Sequence, residues 1–273
     1  MKVAEAIRSA TGRLSETSDT ARLDAELLMA HALGVSRSDM LLRHTGDPVP
    51  AGFDALIDRR AAREPVAYIL GEAEFFGRSF IVTPEVLIPR GDSECLVEAA
   101  LEVAPSEGRL LDLGTGSGAL LLTLLAEREG LQGVGIDASF GALAVAAANA
   151  AQLGLAERAH FLHRDWHEAG WAGELGQFDL VIANPPYVET TAQLDPDVRD
   201  YEPASALFAG EEGLDDYRVI IPQLRQLLTD SGAAVLEIGA SQASSVSQIA
   251  EAEGFSVAVR QDLAGRDRAL VLR

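Results

Sequence analysis

The residues with the clearest chemical content are Asn184-Pro185-Pro186-Tyr187, which follow the apolar run Phe-Asp-Leu-Val-Ile-Ala at 178–183. Two consecutive prolines fix φ and remove two backbone N–H donors, so the main chain is stiff there and its carbonyls are free to accept. The Asn184 side-chain oxygen and the Pro185 carbonyl are then two acceptors held close together. Such a pair suits a planar –NH2 group. An amide nitrogen is a poor nucleophile because its lone pair is delocalised, and acceptors on both hydrogens hold it and favour charge build-up on nitrogen. Neither acceptor has to be a strong base if the electrophile is already activated, because in-line positioning supplies much of the rate. Tyr187 can pack against the planar group. Asn-Pro also initiates ordinary turns; its place at the end of an apolar run favours the chemical reading.

A second group is Gly114-Thr115-Gly116-Ser117-Gly118, at the end of the run 109–113. Alternating glycines permit a tight turn and let a ligand approach the backbone with no Cβ in the way. The next run ends in Asp137, 19 positions beyond Gly118. An acid at that spacing can accept from both hydroxyls of a ribose. Loop and acid together indicate an adenosine-containing cofactor, NAD or S-adenosylmethionine, and leave the chemistry open. Taken singly, the loop could be a plain turn and Asp137 a cap for the helix starting near Ser139. The third run ends at Asp165-Trp166. This carboxylate could accept from an adenine amino group beside an apolar indole face, or the tryptophan could be a half-buried core residue.

These groups need a frame. Short apolar runs at 109–113, 133–136, 160–163, 178–183, 233–238, 256–260 and 269–273 alternate with helical stretches. That alternation predicts a mostly parallel α/β sheet covered on both faces, with ligands at the carboxyl ends of its strands. Residues 1–71 predict a helical bundle. Thr20 or Asp19 caps a helix with Leu23, Leu27, Leu28 and Leu33 as its apolar residues and Gly34 at its end, and Phe53, Leu56 and Ile57 share a second helix limited by Pro65. Residues 72–92 predict a hairpin linker turning at Gly77, and 93–273 the sheet domain. Glu237 and Arg266, at run ends, read as sheet-edge structure. His160, His163 and His167 match no metal-ligand spacing, so no metal is expected.

Composition narrows the partners. With 42 acidic and 22 basic residues the formal charge is −20, which repels phosphate backbones; no direct nucleic-acid binding is expected, and a basic protein partner suits the surface. The single cysteine, Cys95, excludes an internal disulfide and fits a reducing cytoplasm. No apolar run is long enough for a membrane span, and no signal core opens the chain.

Asn184-Pro185-Pro186-Tyr187 resembles the signature of methyltransferases acting on planar nitrogens. Further similarity favours the glutamine branch of that group. Ala67-Tyr68-Ile69-Leu70-Gly71, Glu74-Phe75 and Val86-Leu87-Ile88-Pro89-Arg90 are similar to its linker region. Tyr201-Glu202-Pro203, Gly213-Leu214, Tyr217-Arg218, Leu236-Glu237-Ile238-Gly239 and Asp262-Leu263-Ala264-Gly265-Arg266-Asp267-Arg268 are similar to its C-terminal half. From about residue 20 onward the chain resembles the bacterial release factor glutamine methyltransferase family.

The resemblance implies a Rossmann-like seven-stranded methyltransferase domain preceded by a helical bundle that helps to hold the substrate protein, and a hairpin linker. It implies S-adenosylmethionine as cofactor, S-adenosylhomocysteine as product, and methylation of the glutamine of the Gly-Gly-Gln motif in class I peptide chain release factors. By position, Gly114, Thr115, Gly116, Ser117, Gly118, Asp137, Asp165, Trp166 and Asn184 would contact the cofactor, and Asn184, Pro185, Pro186 and Tyr187 the glutamine. One departure concerns the residues after Pro89-Arg90. The family has proline, an acid and threonine there; this chain has Gly91-Asp92-Ser93-Glu94. That leaves Arg90 either in the family's role or in a surface ion pair. The rivals are a glutamine methyltransferase for a ribosomal protein, an adenine-N6 enzyme, which should carry a basic groove, and a nicotinamide-dependent oxidoreductase, which leaves Asn184–Tyr187 without a task.

Overall fold

In a computed structural model covering residues 1–273, two short strands, β1 (Glu72–Phe75) and β2 (Arg78–Ile81), form the expected hairpin. Its two-residue turn, Phe76-Gly77, has φ of 49° and 70°. Positive φ at both turn residues matches the right-handed twist of the strands but is unfavourable for an aromatic residue. The Phe76 N–H donates to Glu94 Oε1 at 2.9 Å, which helps hold that conformation.

Each of the seven apolar runs becomes a strand of one sheet: β3 (Glu107–Leu113), β4 (Gly130–Asp137), β5 (Ala159–His163), β6 (Phe178–Ala183), β7 (Leu228–Glu237), β8 (Val257–Gln261) and β9 (Asp267–Leu272). Their order is β5-β4-β3-β6-β7-β9-β8, and β9 runs antiparallel to both neighbours. The central strands are apolar on consecutive residues because both faces are covered. Leu180 and Ile182 of β6 and Val235 of β7 enter a core with Leu96 and Leu121, from helices Glu94–Val103 and Ala119–Glu127. Their neighbours Val181, Ala183, Ala234 and Leu236 enter another with Tyr217 and Val246, from helices Asp215–Ile220 and Ala243–Ala252. The period-two alternation of side chains thus feeds two cores from one set of strands. Strand order reverses at β3, and the adjacent β3 and β6 are the strands followed by the glycine loop and by Asn184.

The chain forms two compact units, residues 1–72 with 194–201, and residues 73–193 with 202–273. The first holds helices Val3–Leu14, Ala21–Leu33, Phe53–Ala61 and Val66–Leu70 around Leu14, Leu28, Met29, Phe53 and Ile57. Gly34, at φ 67°, ends the second helix as expected. Leu28 is buried as expected, but Leu23 does not join the apolar face; it is 41% exposed, and Ala25 and Met29 face the core in its place. The helical turn Pro196–Arg199 belongs to this unit, which no local pattern indicated. Asp197 on that turn and Asp24 each lie 2.7 Å from the buried Arg60 guanidinium. Removing the cation leaves the buried Asp24 carboxylate without a cation, while Asp197 keeps Arg63 at 3.3 Å, so Arg60→Ala is expected to cost about 3 kcal/mol. Urea unfolding would measure it, and a loss below about 1 kcal/mol would mean that the network is not stabilising. No helix of the protein is long and apolar enough to cross a membrane.

Candidate active site

The carboxyl ends of β3, β4, β5 and β6 deliver the residues singled out in the sequence to one cavity of about 650 Å³ in the second unit. Gly114, Thr115, Gly116, Ser117, Asp137, Asp165, Trp166, Asn184 and Pro186 line it. Gly118, Pro185 and Tyr187 do not.

The loop after β3 is held by main-chain bonds. The Gly114 and Thr115 N–H groups both donate to the Ile136 carbonyl at 2.9 Å, and Gly118 N–H donates to the Thr115 carbonyl at 2.7 Å. Glycines 114, 116 and 118 have φ of 72°, 54° and 78°. Gly114 is further restricted, because a Cβ there would lie 3.0 Å from the Trp166 ring. At Gly116 a Cβ would meet nothing within 4 Å. The backbone is therefore open at Gly116 and closed by neighbours at Gly114 and Gly118. Gly118 serves as the N-cap of helix Ala119–Glu127.

Asp137 is fixed by two backbone donors, Gly116 N–H to Oδ2 and Ser139 N–H to Oδ1, each at 2.9 Å. It does not cap the following helix, since Ser139 does so by accepting from Ala142 N–H. A carboxylate has about four acceptor sites, so two remain for a ligand. Asp165 Oδ1 accepts from His167 N–H at 2.8 Å. Trp166 fits both sequence readings at once. It packs against the core beneath the sheet and also lines the cavity, while its indole N–H donates to Asp216 Oδ1 at 2.6 Å.

Within the proline motif, Asn184 and Pro186 reach the cavity and Pro185 is buried. Asn184 Nδ2 lies 3.4 Å from the Ser93 hydroxyl. Tyr187 departs from expectation. Its ring packs against the core, and its hydroxyl donates to Glu237 Oε1 at 3.3 Å, so it braces the corner from behind and offers no face to the cavity. Burial pushes the Tyr187 hydroxyl up to about 12, and the nearby Glu237 carboxylate adds to the shift. Arg90 lines the cavity and pairs with Glu202 at 2.5 Å. Glu202 is buried and also accepts from Ile88 N–H, so this ion pair ties the linker to the segment after residue 201 and is more than a surface contact. Gly91 opens a short helical turn without positive φ and with space for a Cβ.

Three polar residues to which the sequence assigned no role in the site support it. Asn149 is completely buried. Its Oδ1 accepts from Ile81 N–H at 2.7 Å and its Nδ2 donates to the Ser117 carbonyl at 2.8 Å, which ties β2 to the glycine loop. Asp112, near the end of β3, accepts from the Thr115 hydroxyl at 2.7 Å while its Oδ1 has no hydrogen-bond partner in the protein. Glu237, at the end of β7, is 1% exposed. Both carboxyls are buried in the folded protein, whereas the strands themselves show only an acid at a run end.

Burial pushes the Asp112 carboxyl from 3.8 to about 7, with the Thr115 hydrogen bond offsetting part of the shift and the Asp137 charge adding to it. The folded protein then holds a proton that the unfolded chain has released above pH ~4. Stability linked to this group is greatest below its unfolded pKa and is lost as pH rises to about 7. Asp112→Asn removes that dependence. Its stability relative to the parent protein should improve by on the order of 3 kcal/mol between pH ~4.5 and ~8. Urea denaturation at several pH values tests this, and a difference that stays flat with pH would refute the shift.

The Methyltransferase small domain profile matches residues 91–199, and the PrmC N-terminal domain profile matches residues 5–71. The release factor glutamine methyltransferase of Cereibacter sphaeroides is 44% identical over 281 aligned residues, covering 100% of this chain and 99% of that one. This chain belongs to the release factor glutamine methyltransferase family. The family's protein from Rhodospirillum rubrum is 42% identical over 92% of this chain and 78% of its own length. Among solved structures, a methyltransferase from Pyrococcus furiosus matches with a TM-score of 0.55 at 14% identity, covering 80% of this chain and 96% of that chain; this likeness concerns the fold alone. The first profile covers the helical unit up to residue 71, and the second covers the part of the sheet from β3 to β6 whose strand ends carry the cavity.

Proposed function

We propose that the chain transfers a methyl group from S-adenosylmethionine to the side-chain amide nitrogen (N5) of the glutamine in the Gly-Gly-Gln motif of class I peptide chain release factors. The observation that carries this reading is the shared cavity. The open glycine backbone and Asp137, suited to a ribose-bearing cofactor, line the same space as Asn184, suited to a planar amide. Membership of the family supplies the class of substrate.

Gly114–Ser117, Asp137 and the apolar face of Trp166 fit the proposed cofactor. Asp137 is an already oriented acceptor suited to ribose hydroxyls, and Asp165, which lines the same cavity, is proposed to accept from an amino group of the base. When bound, S-adenosylmethionine supplies an activated sulfonium methyl. The protein's task is then to hold the target nitrogen. The Asn184 oxygen, which reaches the cavity, accepts from one hydrogen of the glutamine amide; the Pro185 carbonyl proposed for the other lies behind the lining residues and has to be reached by the target itself. Holding both in a fixed geometry favours nitrogen as the reacting atom with no strong base at hand. Tyr187 keeps the corner from moving by its bond to Glu237. The −20 charge complements a basic partner and disfavours a nucleic-acid substrate.

Incubation of the protein with a purified class I release factor and methyl-labelled S-adenosylmethionine tests the proposal. One added methyl, mapped by tandem mass spectrometry to the Gly-Gly-Gln glutamine, is expected. An unmodified release factor beside a methylated ribosomal protein or adenine would overturn it.

A further inference from the structure

Asp216 lines the cavity, yet none of the contacts proposed above involves it. It sits in helix Asp215–Ile220, and its side chain is only 6% exposed. The indole N–H of Trp166, 50 positions earlier in the chain, donates to its Oδ1 at 2.6 Å. His167 Nε2 lies 3.1 Å from the same oxygen, on a side chain that is more than half exposed. The opposite edge of the indole is held as well. Its Cη2 and Cζ3 atoms lie 3.0 and 3.1 Å from where a Cβ on Gly114 would stand, so a side chain there would crowd the ring. Asp165 turns the main chain beneath the ring. Its Oδ1 accepts from His167 N–H at 2.8 Å and its carbonyl from Glu168 N–H at 3.1 Å.

Trp166 is half-buried, packed against the core and lining the cavity at once. An indole N–H only donates, and away from water it needs an acceptor. A neutral acceptor would serve at lower cost, because a carboxylate buried to this extent is expensive. Burial pushes the Asp216 carboxyl up, and the Trp166 bond and His167 offset part of that shift. The charge adds strength, since a charge-assisted hydrogen bond is about twice as strong as a neutral one. Turning the ring away from the cavity would break this bond, strand the N–H and leave the carboxylate with His167 alone. We infer that Asp216 is a positioning residue for the cofactor. It locks the Trp166 indole between its own carboxylate and Gly114, so that the ring stands ready as the wall against which the adenine base packs. The inference rests on the reading of the cavity as the S-adenosylmethionine site.

A ring released from Asp216 would have to be ordered by the ligand itself. Immobilising one such side chain on binding weakens affinity by roughly 3- to 10-fold in Kd. Asp216→Ala and Asp216→Leu are expected to show that loss. It should appear in the Kd and KM of S-adenosylmethionine and not in kcat, because the Asn184 corner is untouched. Asp216→Asn keeps an oxygen that accepts from the indole but loses the charge, so it should fall between Asp216→Ala and the parent protein.

The chain has two tryptophans, Trp166 and Trp171, so its indole N–H groups give two resonances in a proton–nitrogen correlation spectrum, and Trp166→Phe identifies them. The test follows the Trp166 resonance and the calorimetric affinity for S-adenosylmethionine in the full chain. It compares the parent, Asp216→Ala, Asp216→Leu, Asp216→Asn, Trp166→Phe and the Trp166→Phe/Asp216→Ala double variant. In Asp216→Ala and Asp216→Leu the resonance should move upfield as the short hydrogen bond is lost, with cofactor affinity falling alongside. The double variant should bind no more weakly than Trp166→Phe alone, because the two residues act as one unit. A displaced resonance beside a Kd within about twofold of the parent would overturn the positioning role and leave the cavity reading intact. Additive losses in the double variant would also overturn it, as would a fall in kcat with Kd unchanged. Absence of S-adenosylmethionine binding in the parent would overturn the cavity reading itself. If Asp216→Ala does not fold, Asp216→Leu, which keeps the volume, decides the matter: weaker binding with a displaced resonance supports the role, and parent-like binding overturns it.

Discussion

Asn184→Ala is expected to lower methyl transfer to a release factor by roughly 10²- to 10³-fold while changing S-adenosylmethionine affinity by only a small factor. The loss is large because the removed oxygen is preorganised. Asn184 follows β6 directly, two prolines stiffen the main chain after it, and Tyr187 anchors the far side of the corner on Glu237. A water molecule in the vacated space could accept a hydrogen bond but would have to be ordered during the reaction, and the target nitrogen would gain freedom away from the line of attack. The cofactor loses little, because its proposed contacts come from the glycine loop and the ends of β4 and β5. Single-turnover kinetics with a purified release factor, set beside a calorimetric titration of the cofactor, separates the two effects. Unchanged turnover would remove Asn184 from the reaction; a collapse of cofactor affinity with chemistry intact would move it to the cofactor site.

The second large effect is expected at Asp137. Removing a charged acceptor that serves ribose hydroxyls costs about 1.5–3 kcal/mol, or roughly 10- to 150-fold in Kd. Asp137→Ala also strands the Gly116 and Ser139 N–H groups that the carboxylate now accepts from, so the loop itself should loosen. Asp137→Asn keeps one acceptor oxygen and replaces the other by a donor facing a backbone N–H, so it should fall between the parent and Asp137→Ala. Calorimetric titration of S-adenosylmethionine into the three proteins gives the order. Equal affinity in all three would show that Asp137 only supports the loop.

The contrast between Asn184 and Tyr187 shows how far a motif can be read. Both belong to one tetrapeptide, and residue type alone suggests that both face the reacting group. The cavity receives Asn184, but the Tyr187 ring turns into the core, because its hydroxyl finds a buried carboxylate 50 positions away in the chain. Asp112 and Glu237 show the same limit from the other side. Each reads as an ordinary acid at a strand end, yet burial pushes both to about 7. Glu237 is approached by Tyr187 and Arg268, which lie 50 and 31 positions away in the chain.

Local chemistry determined much of this protein in advance. Seven apolar runs separated by helical stretches required a covered, mostly parallel sheet, and the β9 reversal leaves that architecture in place. Glycines at alternate positions permitted the left-handed backbone that they adopt at 114, 116 and 118. Two prolines after Asn184 required a stiff corner at a strand end. All of these follow from steric limits and side-chain periodicity acting over a few residues. Tertiary structure alone decided the rest. It chose which strands lie side by side, so that Asp137 and Asn184 line one cavity. It placed Asn149 between β2 and the glycine loop, 68 and 32 positions away from its partners. It recruited 194–201 to the helical unit and turned Leu23 out to solvent. These choices depend on which distant groups compete for the same buried volume and the same few hydrogen-bond donors, and that competition exists only once the chain has closed on itself.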